Sequence, residues 1–208
     1  MDELELLKQD WKKREQALPK LSYNDIYKMI LKKSSSSIKW IFYISIIELV
    51  FWLLLNPVLK LCGYDPKIDV PYYNTITIAV YCIVYPVIIY FIYKFYTNYR
   101  KVSTTNSVKE LMENILKSRK TVNHYVWFNL IYSFVFLMIT YFLVFTYDPN
   151  YQDQIKNFST AQMVITFGFA FIIIVLFCGL LFLFYRVLYG FLLRRLRKNY
   201  KELEKIEV

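Results

Sequence analysis

Four long apolar blocks, separated by charged segments, dominate the pattern of the chain. The blocks cover residues 40–59, 70–93, 125–147 and 157–185, and Glu48 is the only charged residue within them. A helix needs about 20 apolar residues to cross the hydrocarbon core of a bilayer. Backbone groups in lipid must also hydrogen-bond within their own segment. The pattern therefore predicts an all-α membrane protein with four transmembrane helices.

The charged segments divide the chain into five parts. These are an arm (1–37), a first transmembrane hairpin (38–95), a loop (96–124), a second hairpin (125–185) and a tail (186–208). The arm, loop and tail each carry one apolar stripe among charged residues, which predicts amphipathic helices that must bury the stripe. Each stripe could be covered by the other flanking segments, by a partner protein or by an anionic lipid surface.

Two serines are predicted to cap helices in the flanking segments. Ser22 is followed three residues later by Asp25, and Ser107 by Glu110, which is the spacing of a capping box. Neither Pro nor Gly follows Gly190, so we expect the fourth span to continue as one long helix into the tail.

The basic residues predict the orientation of the spans. Of the 26 Lys and Arg residues, all but Lys60, Lys67 and Lys156 lie in the N-terminal segment through Lys39, between Lys94 and His124, or from Arg186 onward. Cytoplasmic segments carry the excess of basic residues in membrane proteins. We therefore expect both termini and the 96–124 loop to be cytoplasmic. Topology and anionic lipid headgroups account for the basic stretches without a nucleic-acid partner.

The two halves of the chain resemble each other. Trp40 and Trp127 open the first and third blocks, and a Tyr-Asp-Pro motif follows each block, at 64–66 and 147–149. Such a two-fold internal repeat would have its axis along the membrane normal. We expect the first span to superpose on the third and the second on the fourth. Chance similarity in a chain with 20 tyrosines is the alternative.

Glu48 is the candidate intramembrane polar site. It lies near the middle of the first block, where an acid costs about 2.5–3.5 kcal/mol and by default suggests a function. We expect a neutral carboxyl that is hydrogen-bonded to a neighbouring helix through Tyr81, Tyr85 or Ser133. The alternatives are contact with a partner subunit and proton or ion handling. Val135 stands at the equivalent position of the second half, which argues against a symmetric proton relay.

Three of the four glycines are spaced eleven residues apart, at Gly168, Gly179 and Gly190. Eleven residues return to nearly the same face of a helix. A line of glycines allows another helix to approach closely. We therefore predict a helix-packing seam rather than access for a cofactor.

The sequence offers no catalytic, cofactor or metal site. It has no Gly-rich phosphate loop, no Cys-x-x-Cys pair and no nucleophile with a His and an acid arranged around it. The single histidine, His124, argues against iron chemistry of the carotenoid-cleaving kind. We predict a non-enzymatic role, as an accessory or scaffold subunit of a membrane assembly or as a homo-oligomer. A small transporter or channel component is the alternative, followed by a membrane enzyme.

Three segments carry a resemblance to a known group of proteins. They are LLKQDW at 6–11, KSSSSIKW at 33–40 and RRLRKNYKEL at 194–203. With these segments the chain resembles a family of small uncharacterised four-span membrane proteins common in Bacteroidota, especially flavobacteria. Members of that family often carry the label beta-carotene monooxygenase. The resemblance implies a location in the bacterial inner membrane.

The predicted orientation can be tested at Cys62, which follows the first block. We expect a membrane-impermeant thiol reagent to modify Cys62 in spheroplasts of a variant with Cys82 and Cys178 replaced by Ser. External protease should leave tags on both termini intact. Cleavage of either tag from outside would show that the orientation is wrong.

Overall fold

The computed structural model describes most of the chain, with gaps between the ranges given below. The Asp-Pro turn predicted after the first span, at residues 65 and 66, lies outside the described residues. The described residues are 4–5, 7–8, 10–11, 22–64, 70–71, 73–105 and 107–207.

From residue 22 onward, the described part of the chain forms five helices. They are α1 (Tyr23–Leu61), α2 (Tyr73–Ser103), α3 (Val108–Tyr147), the short α4 (Pro149–Ile155) and α5 (Thr160–Glu207). The described residues contain no strand. The four longer helices are long and apolar enough to cross a membrane. The prediction of an all-α, multi-pass membrane protein is therefore confirmed.

The four long helices form a bundle in the cyclic order α1, α2, α3, α5. Each packs against its two neighbours in that order, and α1 also touches α3 across the bundle. This arrangement puts α1 diagonally opposite α3 and α2 opposite α5, as a two-fold repeat would require. Superposition of the two halves stays a prediction.

All four long helices are longer than the hydrocarbon core of a bilayer is thick. At 1.5 Å per residue, α1 is about 58 Å long and α5 about 72 Å, against about 30 Å for the hydrocarbon core. The extra length lies at one end, where α1 and α3 begin and α2 and α5 end. We call this the basic end, because most Lys and Arg residues lie there. The predicted continuation of the fourth span as one long helix is confirmed.

The most completely buried apolar side chains lie at the basic end rather than within the spans. Five of these side chains have no solvent exposure: Val102, Leu111, Ile115, Leu196 and Leu203. They come from α2, α3 and α5, and Ile30 of α1 joins the same cluster. Apolar side chains from the basic ends of all four long helices thus cover one another, whereas Leu4, Leu7 and Trp11 of the arm are exposed.

Polar groups inside the basic end are paired. Asn199 on α5 donates to the Ser34 hydroxyl on α1 at 2.9 Å, and both residues are buried. Tyr27 donates to the backbone carbonyl of Thr105 at 3.0 Å, joining α1 to the end of α2. Partial burial raises the pKa of the Tyr27 phenol above its usual value.

Capping residues in the sequence determine where α1 and α3 begin. The Ser22 backbone N–H donates to the Asp25 carboxylate at 3.2 Å, and the Ser107 hydroxyl accepts from the Glu110 backbone N–H at 3.3 Å. Both predicted caps are therefore confirmed. At the other end of α1 the chain turns at Gly63, whose φ of +82° lies in the left-handed region that glycine tolerates.

We expect the Asn199–Ser34 hydrogen bond to hold α5 against α1. Asn199→Ala and Ser34→Ala should each destabilise the fold, because each leaves a buried polar partner unpaired, at a cost of about 1–3 kcal/mol. The double variant should lose less stability than the two single variants lose together. Thermal unfolding in mild detergent measures all three. Lys201→Ala, an exposed change on the same helix, is the control, and additive losses at the pair would contradict the coupling.

Candidate functional site

The carboxyl of Glu48 is held inside the bundle by phenol hydroxyls from two other helices. Tyr125 on α3 donates to Oε2 at 2.9 Å, and Tyr189 on α5 donates to the same oxygen at 3.3 Å. Tyr185 on α5 donates to Oε1 through a short hydrogen bond. Glu48 therefore faces protein, and one side chain of α1 is tied to both α3 and α5.

The tyrosines reach Glu48 because of their spacing and their packing. Tyr185 and Tyr189 are four residues apart, so they lie one above the other on one face of α5. Their rings stack with centroids 6.1 Å apart. The Tyr125 ring meets Tyr189 edge-on at 6.2 Å and Phe95 of α2 at 5.5 Å. Aromatic packing thus fixes the direction in which each hydroxyl points.

The hydrogen-bonding capacity of the carboxyl matches its surroundings. A carboxylate offers about four acceptor positions, and three phenols fill three of them. Lipid could supply none of these donors, so the network offsets part of the cost of placing an acid in a transmembrane segment. One acceptor position remains for a further donor or a positive charge.

The predicted hydrogen-bond partners of Glu48 were wrong. Tyr81, Tyr85 or Ser133 was the expected partner, whereas the hydroxyls that reach the carboxyl belong to Tyr125 and the Tyr185–Tyr189 pair on α5. The four-residue spacing of Tyr185 and Tyr189 was the signal that could have indicated them. Depth along a span alone does not say which neighbouring helix faces Glu48.

A cavity of about 270 Å³ adjoins Glu48 between the helices. The three residues first named as partners, Tyr81, Tyr85 and Ser133, line its wall instead. All four long helices contribute to the lining. The lining residues are Glu48, Leu49, Trp52, Leu55, Asn56, Tyr81, Val84, Tyr85, Ile88, Tyr125, Asn129, Tyr132, Ser133, Phe136, Leu137, Phe177, Leu181 and Tyr185.

The predicted glycine seam does not pack against another helix of this chain. A Cβ added to Gly168 or Gly179 would meet no atom within 4 Å, and at Gly190 it would meet only Arg186 of the same helix, at 3.8 Å. Within the described chain the seam is therefore open. The reason is that α5 turns a different face, with Tyr185 and Tyr189, toward α1 and α3.

The described residues contain no group of three or more His, Cys, Asp or Glu side chains that could hold a metal ion. Cys62 and Cys82 are exposed free thiols, and Cys178 is a half-buried one. What the site offers chemically is one carboxyl, several phenols and amides, and a small space beside them.

Substitutions at Glu48 test the role of the network in the bundle. Glu48→Gln keeps the shape and an acceptor oxygen, so it should leave thermal stability in mild detergent nearly unchanged. Glu48→Leu removes every partner of the three phenols, so it should lower stability by on the order of 1 kcal/mol, the usual scale of an interhelical hydrogen bond in lipid. Ile47→Leu, at an exposed neighbour, is the control. A Glu48→Leu variant as stable as the unaltered chain would exclude a structural role.

Comparison with known proteins identifies a family for the chain but no functional residue beyond those described above. No curated protein matches it, and no solved structure matches it. One family model matches residues 24–208, which include α1 from its second residue and every later helix. The chain belongs to the family described as Domain of unknown function (DUF8845).

Proposed function

We propose that this chain is a non-enzymatic subunit of a membrane assembly whose partner is a second copy of the same chain. The assembly lies in the inner membrane of a bacterium. Both termini and the connection between α2 and α3 face the cytoplasm, because the basic end carries most of the Lys and Arg residues. Gly168 and Gly179, open on α5, carry the proposal.

The open glycines suggest that something outside the chain packs there. Glycine costs about 1 kcal/mol relative to alanine in a helix interior. The chain gives no steric reason for either glycine, since an added Cβ at Gly168 or Gly179 would meet nothing. Close approach of a second helix would supply that reason.

The low burial of α5 within the spans also supports a partner on the face that carries the open glycines. Only 6% of the residues in its most apolar stretch are buried, against 17% in those of α1 and α3. The far end of α5 differs, because Leu196, Asn199 and Leu203 are buried within the basic end. The helix is thus anchored at one end and leaves its transmembrane part available to a symmetric partner.

Anionic lipid headgroups are the other expected partners. Exposed basic side chains surround the basic end, among them Lys32, Lys33 and Lys39 on α1 and Arg194 and Arg195 on α5. The Lys39 ammonium lies over the Tyr43 ring, 5.5 Å from its centroid, near the start of the apolar stretch. Such residues suit the boundary between the spans and an anionic membrane surface.

The assembly can be tested by adding bulk to the open face of α5. We expect the unaltered chain to form a dimer in mild detergent, and Gly179→Leu to convert it to a monomer. Its thermal stability as a monomer should not fall, because the new side chain meets nothing within its own chain. Native mass spectrometry measures the oligomeric state.

The matched control is Phe184→Leu, which alters an exposed side chain about 140° around the same helix. It should leave the dimer intact. A monomer for the unaltered chain, or a dimer that survives Gly168→Leu combined with Gly179→Leu, would refute assembly through this face.

A small transporter or channel component is the second candidate function. The observation that favours it is the cavity beside Glu48, which is bounded by all four long helices. A space of this kind within the spans provides room for a ligand, whereas a purely structural bundle would fill it with side chains.

A further inference from the structure

The cavity beside Glu48 has one acid and no base in its wall. Its lining residues include no Lys, Arg or His side chain, and Glu48 is the only Asp or Glu among them. A bound anion would find no positively charged side chain in the wall to balance its charge. The electrostatics of the wall therefore favour a ligand that is neutral or positively charged.

Aromatic rings form much of the remaining wall. Tyr81 lies between Tyr85 and Phe136, with ring centroids 5.3 Å and 6.5 Å away. Phe136 in turn stacks with Tyr132 at 5.8 Å. Trp52 completes the α1 side, one turn beyond Glu48. Aromatic faces attract cations that have lost their water, and tryptophan does so most strongly.

We propose that this cavity binds a small organic cation with apolar substituents, such as a quaternary or protonated amine. Glu48 supplies the balancing charge, and the aromatic wall supplies cation–π contacts and apolar surface. A divalent metal ion fits less well, because it needs several oxygen or nitrogen ligands and the wall has a single carboxylate. The volume of about 270 Å³ restricts the ligand to the small end of the range for such sites.

The charge inside the membrane stays balanced if the cation replaces a proton. We expect the carboxyl of the empty site to be neutral, so binding releases the Glu48 proton to water as the cation enters. The groups that face the carboxyl are the phenols of Tyr125, Tyr185 and Tyr189, and those of Tyr81 and Tyr85 lie along the same cavity. These phenols remain donors throughout, so Glu48 alone changes its charge.

The route into the cavity follows one face of α1. Glu48, Trp52 and Asn56 are spaced four residues apart, so they line the same side of the helix. Trp52 and Asn56 are exposed, whereas Glu48 is half-buried beside the three phenols. A ligand would therefore enter from the side away from the basic end and meet the carboxyl last.

Benzyltrimethylammonium is a suitable probe, because it carries a permanent charge and cannot donate a hydrogen bond. Neopentylbenzene has the same shape with carbon in place of the charged nitrogen. We expect the purified full-length chain to bind the cation saturably in calorimetry, and to bind it more tightly than the neutral isostere. Proton release into weak buffer should accompany binding of the cation only.

Two variants separate the contributions of charge and wall. Glu48→Gln should weaken binding of the cation about tenfold or more, abolish proton release and leave binding of neopentylbenzene unchanged. Trp52→Leu, at an exposed position, should weaken binding of the cation severalfold, because the cation–π contact is lost. Proton release on binding should persist in this variant. If Glu48→Gln fails to fold, Trp52→Leu tests the proposal instead: cation binding as tight as in the unaltered chain would contradict it.

The proposal is overturned if the unaltered chain binds neither probe, if it binds both equally, or if Glu48→Gln binds the cation as the unaltered chain does. The inference deepens the transporter or channel alternative and needs only one chain. The monomer made by Gly179→Leu should therefore bind the cation normally, so that failure of the assembly and failure of the site give different results.

Discussion

The carboxyl of Glu48 joins α1 to α3 and α5 through three phenol hydroxyls. Helices in lipid gain no hydrophobic free energy from association, so packing and interhelical hydrogen bonds must select their neighbours. Because the donors come from two helices, the relative rotation of α1, α3 and α5 is restricted together. The cavity depends on the same restriction, since Tyr125 and Tyr185 belong both to the network and to its wall.

The bundle obtains its rigidity in two different ways along its length. At the basic end, apolar side chains such as Leu111 and Leu196 are completely buried, as in the core of a soluble protein. Within the spans many large side chains are exposed, and aromatic rings and Glu48 contribute to the helix contacts together with buried aliphatic side chains such as Ile41 and Ile88. A firmly packed end allows the transmembrane part to keep an unfilled space without losing the arrangement of its helices.

The sequence predicted the elements well and the contacts between them poorly. Block length, the caps at Ser22 and Ser107 and the unbroken fourth span follow from local rules of hydropathy and hydrogen bonding. The partners of Glu48 do not, because they depend on how each helix is rotated in the bundle. The glycines at 168 and 179 show the same limit, since periodicity identifies a face of a helix but not what covers it.

The burial of Asn199 against Ser34 affects how the protein is made. The ribosome synthesises α5 after α1 to α4, so Leu196, Asn199 and Leu203 reach the basic end only after those four helices have been made. Until then, Ile30 and Ile115 lack part of their cover, and Ser34 lacks its donor. Membrane insertion can therefore precede completion of the core, and the newly inserted chain presents apolar surface to proteases and chaperones until the last turns of α5 dock.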